Sequence, residues 1–266
     1  MRIIFISLIF LSFLSSCNKN DLKKQNGISL DQIESEENGN PTQAKKELRT
    51  RPSNILLTGN SDHRLVTVYK INYNTRTEAY YTGTNNFLRD YSYSYDDDDS
   101  YDGYGSNRRV KKYQFFMPGI EAVAGYNMMN VSHYDFKTKE KNNFFEKPVL
   151  VNTLYYPCLK QDSLQGQPIN RDYYMVSVYD EDTNQDSLIN RNDLRRFYHF
   201  DLDGSNQSPL VPLNYSVMSS EYDAENDVMY VFAKLDENTN GKREEEEPIH
   251  IFWLALKAPK IGERLY

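Results

Sequence analysis

The chain has 266 residues and a formal net charge of -7, from 31 Lys and Arg against 38 Asp and Glu. Aromatic residues make up 14% of it, and 22 of them are Tyr, which is typical of a folded, soluble domain with polar appendages. The acidic balance argues against a nucleic-acid-binding protein, which needs a basic face. Two cysteines do not suffice for a disulfide scaffold.

The first 17 residues, MRIIFISLIFLSFLSSC, have the pattern of a secretory signal. Arg2 is the only charge, an apolar run follows, and small residues precede Cys17. The apolar run is about a dozen residues long, whereas a membrane-spanning helix needs roughly 20. We therefore predict a signal peptide over residues 1–16 and no transmembrane anchor there.

The end of this segment, Leu14-Ser15-Ser16-Cys17, resembles the lipobox of bacterial lipoproteins. The resemblance implies cleavage before Cys17, lipidation of its sulfur and a membrane anchor made of acyl chains. An ordinary signal with a chance cysteine is the alternative. Asn18 stands where lipoprotein sorting would place Asp for inner-membrane retention, which favours the outer membrane, with a periplasmic or surface-facing domain. Residues 19–21 faintly resemble the surface-export signals of Bacteroidetes lipoproteins.

Residues 18–53 contain no aromatic residue and few apolar ones, so they cannot bury enough surface to offset their ordering entropy. We interpret residues 17–53 as the lipidated cysteine with a flexible tether, and residues 54–266 as the folded body. An acidic, tyrosine-rich run over residues 90–107 is interpreted as a solvated loop, with a cation or glycan contact as the alternative. Cys158, among apolar neighbours, is expected to be buried.

The body has the sequence pattern of an all-β domain. Residues 65–69, 173–179, 228–232 and 249–256 are alternating, β-branched or aromatic, and turn residues bound them. Tyr69, Tyr134, Phe200 and Leu254 head similar strand-and-turn segments, which are 65, 66 and 54 residues apart. These segments resemble the blades of TolB-type or WD-repeat propellers. The resemblance implies a small β-propeller-like repeat domain, and a β-sandwich with similar hairpins is the alternative.

Two twelve-residue stretches, 182–193 and 236–247, place oxygen-bearing side chains at positions 1, 3, 5, 9 and 12. This spacing resembles the calcium loops of EF-hand and dockerin proteins. Alternate residues of a tight loop point inward, and Ca²⁺ takes six to eight hard oxygen ligands. The resemblance implies side-chain ligands from Asp182, Asn184, Asp186, Asn190 and Asp193 with the carbonyl of Leu188, and from Asp236, Asn238, Asn240, Glu244 and Glu247 with the carbonyl of Lys242.

The two loops depart from the EF-hand pattern in three ways. Position 6 is normally Gly, which Gly241 satisfies and Ser187 does not. Asp193 closes the first loop with a shorter reach than Glu. Strand-like segments rather than helices flank both loops, so calcium hairpins of integrin-like propellers are the nearer analogue. Solvated acidic hairpins without an ion are the alternative.

No motif in the chain marks a reaction. The four histidines form no HExxH pair, and no GxSxG, P-loop or GxGxxG motif occurs. We therefore expect a membrane-anchored, calcium-binding lipoprotein that is a non-enzymatic binding or structural module of the cell envelope. Its partner would be a protein or a glycan. A glycan-processing enzyme with a carboxylate pair, and a TolB-like envelope accessory, are the alternatives.

Overall fold

The structure is a computed structural model that describes residues 27–30, 48–74, 76–88 and 117–266. These residues form eighteen β-strands, which are, in chain order, β1 (Ile28–Ser29), β2 (Thr50–Leu57), β3 (His63–Asn74), β4 (Ala79–Thr82), β5 (Asn86–Phe87), β6 (Ile120–Asp135), β7 (Lys141–Asn143), β8 (Leu150–Pro157), β9 (Asp162–Leu164), β10 (Gln167–Ile169), β11 (Tyr173–Tyr179), β12 (Leu188–Ile189), β13 (Arg196–Asp201), β14 (Ser208–Pro209), β15 (Tyr215–Asp223), β16 (Val228–Leu235), β17 (Ile249–Ala255) and β18 (Glu263–Arg264). The described part of the chain has no helix that is both long and apolar enough to cross a membrane.

Most of these strands belong to two antiparallel sheets. The large sheet has the order β14-β13-β11-β8-β6-β3-β2, with β4 beside β3 and with β5 and β7 beside β6. The small sheet has the order β15-β16-β17-β18, and β1-β12 and β9-β10 are separate strand pairs. All four segments expected to be strands from their residue pattern lie in strands, in β3, β11, β16 and β17. The prediction of an all-β body is therefore confirmed.

The residue patterns explain why these segments are strands. In β3 the side chains of Leu65, Thr67 and Tyr69 are buried while the residues between them are partly exposed, which is the period-two pattern of a strand with one covered face. In β11 every residue is buried, so its continuous apolar run is that of a central strand covered on both faces.

The large and small sheets pack face to face. Met175 of β11 and Phe197 of β13 share an apolar cluster with Val231 of β16 and Phe252 of β17. The opposite face of the large sheet forms a second cluster, which includes Tyr69, Leu154 and Val176 among its buried members. This packing is compatible with the β-sandwich alternative, and none of the sheets closes into a barrel.

The four anchors of the repeat lie in strands, but they are not spread over four separate sheets. Tyr69 in β3 and Tyr134 in β6 belong to directly paired strands of the large sheet, as does Phe200 in β13 further along it. Leu254 lies in β17 of the small sheet. The similar hairpins therefore recur within a shared sheet as well as between sheets.

Two short pieces of the predicted tether take part in the folded body. Ile28 in β1 is fully buried, and β2 begins at Thr50, just after the buried Leu48. The signal peptide, Cys17, the remainder of the tether and the acidic run at 90–107 lie outside the described residues. Cys158 is buried, as expected from its neighbours.

Candidate cation-binding loops

The two twelve-residue stretches form long hairpin connections, which we call the first loop (182–193) and the second loop (236–247). The first loop joins β11 to β13 in the large sheet and contains the short strand β12. The second loop joins β16 to β17 in the small sheet. Because the flanking strands of each loop are paired along their length, both ends of each loop are held in place.

In the first loop, oxygens from positions 1 and 3 converge on one backbone N–H. The N–H of Asp186 donates to Oδ1 of Asp182 and to Oδ1 of Asn184, both at 3.0 Å. The N–H of Ser187 donates to the other oxygen of Asp182 at 2.8 Å. At position 5, Oδ1 of Asp186 accepts from the N–H of Leu188 at 3.0 Å. The first half of the loop is therefore wrapped around its own side-chain oxygens.

The second loop repeats this arrangement bond by bond. The N–H of Asn240 donates to Oδ1 of Asp236 and to Oδ1 of Asn238, both at 3.0 Å. The N–H of Gly241 donates to Oδ2 of Asp236 at 3.0 Å, and the N–H of Lys242 donates to Oδ1 of Asn240 at 2.8 Å. Two loops of different sequence thus bring the predicted ligands at positions 1, 3 and 5 together in the same way.

The backbone conformations of the two loops agree as well. Position 4 has a positive φ in both, 57° at Gln185 and 56° at Thr239. Position 6 also has a positive φ in both, 67° at Ser187 and 70° at Gly241. Glycine adopts this region freely, whereas other residues are strained there. The first loop therefore makes the turn that the second makes, although it lacks the glycine.

The closing carboxylate at position 12 also bonds back to position 9 in both loops. The N–H of Asn190 donates to Oδ2 of Asp193 at 2.7 Å, and the N–H of Glu244 donates to Oε2 of Glu247 at 2.9 Å. The position-9 side chains differ, because Oδ1 of Asn190 accepts from a main-chain N–H within its own turn, whereas Oε2 of Glu244 accepts from the side-chain amide of Asn238 at 2.8 Å.

The remaining oxygen of the closing residue distinguishes the loops. Asp193 is 1% exposed, and its Oδ1 accepts from the N–H of Thr183 at 2.9 Å and of Asn184 at 3.3 Å. Burial raises the pKa of its carboxyl to about 6, although backbone N–H donors work in the opposite direction. Glu247 is 8% exposed, and its Oε1 is buried and has no hydrogen-bond partner among the described residues. Such a group costs free energy unless something pairs with it.

The predicted main-chain ligands at position 7 lie in different settings. Leu188 is part of β12, which pairs with β1 so that Ser29 faces Leu188 and Ile28 faces Ile189. Lys242 in the second loop is exposed and pairs with no strand. The first loop is thus covered on one side by another segment of the chain, and the second is open there.

Two residues that the sequence pattern did not mark hold the loops. Lys234 of β16 is buried, and its Nζ donates to the carbonyls of Glu244 and Glu245 at 2.5 and 3.0 Å. Thr183, at position 2 of the first loop, donates from Oγ1 to the carbonyl of Gly241 at 2.6 Å. No local signal identifies either residue, because each contact depends on how distant segments approach one another.

The donor set restricts which cation these loops could hold. Within the described residues, no three His, Cys, Asp or Glu side chains form a metal-ligand cluster. An ion in either loop would therefore depend on Asn amide and main-chain oxygens in addition to carboxylates. Such all-oxygen sets suit hard cations, and the buried, unpartnered Oε1 of Glu247 fits a cation ligand in the second loop.

A separate shallow cleft of about 230 Å³ lies at a corner of the large sheet, where β2, β3 and β4 meet. The residues that line it are Arg49, Arg51, Ile71, Tyr80, Tyr81 and Thr82. Tyr80 is 66% exposed, and its ring lies 5.0 Å from that of Tyr73. This cleft combines cationic and aromatic groups, and none of the described residues that line it carries a carboxylate.

The comparisons with known proteins add no family to this picture. No model of a known protein family matches the chain. No curated protein sequence matches it either.

Proposed function

We propose that the chain is a calcium-binding, non-enzymatic module of the cell envelope, with a β-rich body attached to the membrane through a lipid on Cys17. The observation that carries the calcium part is the pairing of two loops with the same turn, one of which keeps a buried Glu247 oxygen without a partner. A cation bound among the second loop's oxygens would supply that partner.

Calcium is the cation that this donor chemistry favours. Carboxylate, amide and carbonyl oxygens suit hard cations, whereas zinc and copper sites use nitrogen and sulfur ligands. Six to eight flexible oxygen ligands are typical of Ca²⁺, and Mg²⁺ prefers a small octahedral site that keeps several waters. The ligands would be those that the sequence pattern predicts, with Glu247 able to contribute both oxygens.

Charge is a second argument for a cation. Each loop contains three carboxylates among its predicted ligands, namely Asp182, Asp186 and Asp193 in the first, and Asp236, Glu244 and Glu247 in the second. These side chains do not form a single cluster within the described residues, but a divalent cation would offset the negative charge that each loop carries. In an extracytoplasmic compartment, dissociation constants of about 10⁻⁴–10⁻³ M would suffice for occupancy.

The measurement that tests calcium binding is thermal unfolding of the chain without its signal peptide and Cys17, residues 18–266, in 1 mM Ca²⁺ and then in EGTA. With a dissociation constant of about 10⁻⁴ M, 1 mM Ca²⁺ adds about 1.4 kcal/mol, so we expect the midpoint to rise by roughly 3–6 °C. Mg²⁺ at the same concentration, and Glu247→Gln in Ca²⁺, are the controls, and both should show a smaller rise. An equal midpoint in Ca²⁺ and EGTA would reduce both loops to acidic hairpins.

The propeller-like repeat remains a prediction. The face-to-face packing of Met175 and Phe197 against Val231 and Phe252 supports the sandwich alternative instead. In that arrangement the two loops come from different sheets and meet at one place, which a calcium-stabilised module would use to link its sheets.

Attachment to the envelope rests on the lipobox-like sequence at Cys17. We expect the mature protein to partition into the outer membrane fraction, because several acyl chains anchor a protein firmly. Cys17→Ser should release it into the soluble fraction, and Cys158→Ser should leave it membrane-bound. Membrane association that survives Cys17→Ser would contradict the lipoprotein assignment.

For the partner, the cleft at the corner of the large sheet supports a glycan that carries acidic groups. The guanidinium groups of Arg49 and Arg51 suit carboxylate or sulfate, and the exposed ring of Tyr80 offers a face for a sugar. We expect polygalacturonate fragments to bind and neutral cello-oligosaccharides not to bind. Arg51→Ala and Tyr80→Ala should each weaken that binding, with Lys257→Ala, at an exposed turn, as the control.

A further inference from the structure

The first and second loops touch each other at Thr183 and Gly241. Oγ1 of Thr183 donates to the carbonyl of Gly241 at 2.6 Å. A Cβ on Gly241 would lie 1.8 Å from the carbonyl oxygen of Thr183, so only glycine permits this approach. The contact joins position 2 of one loop to position 6 of the other across 58 residues of sequence.

On the first-loop side, Thr183 is fixed to the closing carboxylate. Its N–H donates to Oδ1 of Asp193 at 2.9 Å, and its Oγ1 accepts from the N–H of Leu194 at 2.9 Å. Thr183 therefore fixes the position of the carboxylate that would close the first loop around an ion.

On the second-loop side, Gly241 is fixed to the opening carboxylate. Its N–H donates to Oδ2 of Asp236 at 3.0 Å, and the next N–H along, that of Lys242, donates to Oδ1 of Asn240. Because Asp236 and Asn240 are both predicted ligands, an ion there would hold the peptide units on each side of Gly241. One continuous hydrogen-bonded chain thus runs from Asp193 through Thr183 and Gly241 to Asp236.

The two ends of this chain are unequally prepared for an ion. In the second loop, Oε1 of Glu247 is buried, lacks a partner and can bind a cation without losing a hydrogen bond. In the first loop, both oxygens of Asp193 already accept main-chain N–H bonds, so an ion there would have to use their remaining lone pairs. We therefore expect the two loops to differ in their affinity for the ion, and the second loop to bind it more tightly.

We propose that calcium fills the second loop first and that Thr183 transmits this occupancy to the first loop, raising its affinity. The proposal rests on the calcium binding proposed above and names the residue that couples its two sites. When the second loop is filled, Gly241 is immobilised, and Thr183 with Asp193 is held in place before an ion arrives. By linkage, filling the first loop must strengthen the second by the same factor.

The experiment is calcium titration calorimetry on the chain without its signal peptide and Cys17, residues 18–266, stripped of metal with EGTA and dialysed. We expect two ions per chain, with coupling of about 5–150-fold between them. Glu247→Gln should abolish binding to the second loop and lower the affinity of the first by that factor. In the Thr183→Val background, Glu247→Gln should change the first loop's affinity by less than about two-fold.

Two variants control for loss of structure. Thr183→Ser keeps the hydroxyl and should retain the coupling. Thr239→Val removes a hydroxyl that, among the described residues, bonds only to its neighbour Asn238 in the second loop. Far-ultraviolet circular dichroism checks that each variant folds. If Thr183→Val does not fold, the effect of Glu247→Gln on the calcium affinity of the first loop in the otherwise wild-type chain still decides whether the two loops are coupled.

The possible outcomes distinguish a failure of the coupling from a failure of the calcium binding on which it rests. Absence of calcium binding to the wild-type chain overturns the proposed function and the coupling together. Two ions that bind independently, or coupling that survives Thr183→Val, overturns the coupling alone. A single ion per chain that Glu247→Gln abolishes keeps calcium binding and overturns the two-site inference.

Discussion

The first and second loops share a backbone turn and a set of internal hydrogen bonds, yet they close in different ways. Both oxygens of Asp193 accept main-chain N–H bonds, whereas Glu247 keeps a buried oxygen that has no partner among the described residues. The first loop thus stabilises itself with its own carboxylate. The second is incomplete without something that pairs with Glu247. Two loops with the same spacing of ligands are therefore not expected to bind an ion equally well.

The loops also differ in how they join the core. Ile189 at position 8 of the first loop is 3% exposed and packs in a cluster with Ile28, Met129 and Tyr179. The same position in the second loop is Arg243, which is partly exposed. The first loop is therefore part of the apolar interior, and the second is a surface loop held mainly by polar contacts.

The largest expected difference between the loops comes from position 8. Ile189→Ala should lower the free energy of unfolding by about 2–5 kcal/mol, because it leaves a cavity in a closed apolar cluster. Arg243→Ala should lower it by about 1 kcal/mol or less, as for exposed charged groups. Urea unfolding of both variants in EGTA measures the difference. Equal losses would show that the second loop is as deeply integrated as the first.

Position 6 of the second loop should give the next largest effect. Gly241→Ala places a non-glycine residue at a φ of 70°, which costs about 1–3 kcal/mol. The new Cβ must also displace the carbonyl of Thr183, so the cost should lie at the upper end of that range or above it. The thermal unfolding midpoint reports it, with Gly166→Ala as the control, because that glycine also has a positive φ but nothing within 4 Å of the added Cβ.

Substitutions of the two closing residues should have different effects on the free energy of unfolding when calcium is absent. Asp193→Asn replaces one carboxylate oxygen with an NH₂ group, so either the N–H groups of Thr183 and Asn184 or the N–H of Asn190 lose their acceptor, which should cost about 1–3 kcal/mol. Glu247→Gln neutralises a buried carboxylate with an unpartnered oxygen, so its effect should be near zero or slightly stabilising. Urea unfolding in EGTA distinguishes them. A larger loss for Glu247→Gln would reverse our reading of which loop is self-sufficient.

The smallest expected effect is a gain. Ser187→Gly relieves a φ of 67° at position 6 of the first loop, which costs an L residue roughly 1–2 kcal/mol. Glycine loses more entropy on folding, by about 0.5–1 kcal/mol. The net gain should therefore be about 0.5 kcal/mol, visible as a slightly higher unfolding midpoint, with Ser205→Gly as the control. A loss of stability would mean that the Ser187 side chain stabilises the turn.

Much of the local structure could be predicted from residue order alone. The period-two pattern of β3 and the continuous apolar run of β11 are properties of short segments, and they indicated strands that the fold contains. The turns of both loops are likewise local, because the bonds that the side-chain oxygens at positions 1, 3 and 5 accept from main-chain N–H groups join residues at most five apart. Such hydrogen bonds depend on side-chain type and spacing, which the sequence displays directly.

The architecture could not be predicted with the same success. Tyr69, Tyr134, Phe200 and Leu254 looked like separate blades, yet three of them share one sheet. Hairpins that resemble each other in sequence can pair with one another or form separate sheets, because edge-to-edge hydrogen bonding leaves no local pattern. The burial of Ile28 could not be predicted for the same reason, because this residue lies in a segment too polar to fold alone and its contacts leave no local pattern.

For this protein, residue order by itself determined four of the strand segments, the two loops, their candidate ligands and the preference for glycine at the turn position that Gly241 occupies. The packing of the two sheets decided that Thr183 meets Gly241, that β1 covers the first loop, and that one oxygen of Glu247 is left without a partner. The first group depends on interactions within a few residues. The second depends on contacts between segments dozens of residues apart, whose approach is set by burial of apolar surface over the whole body.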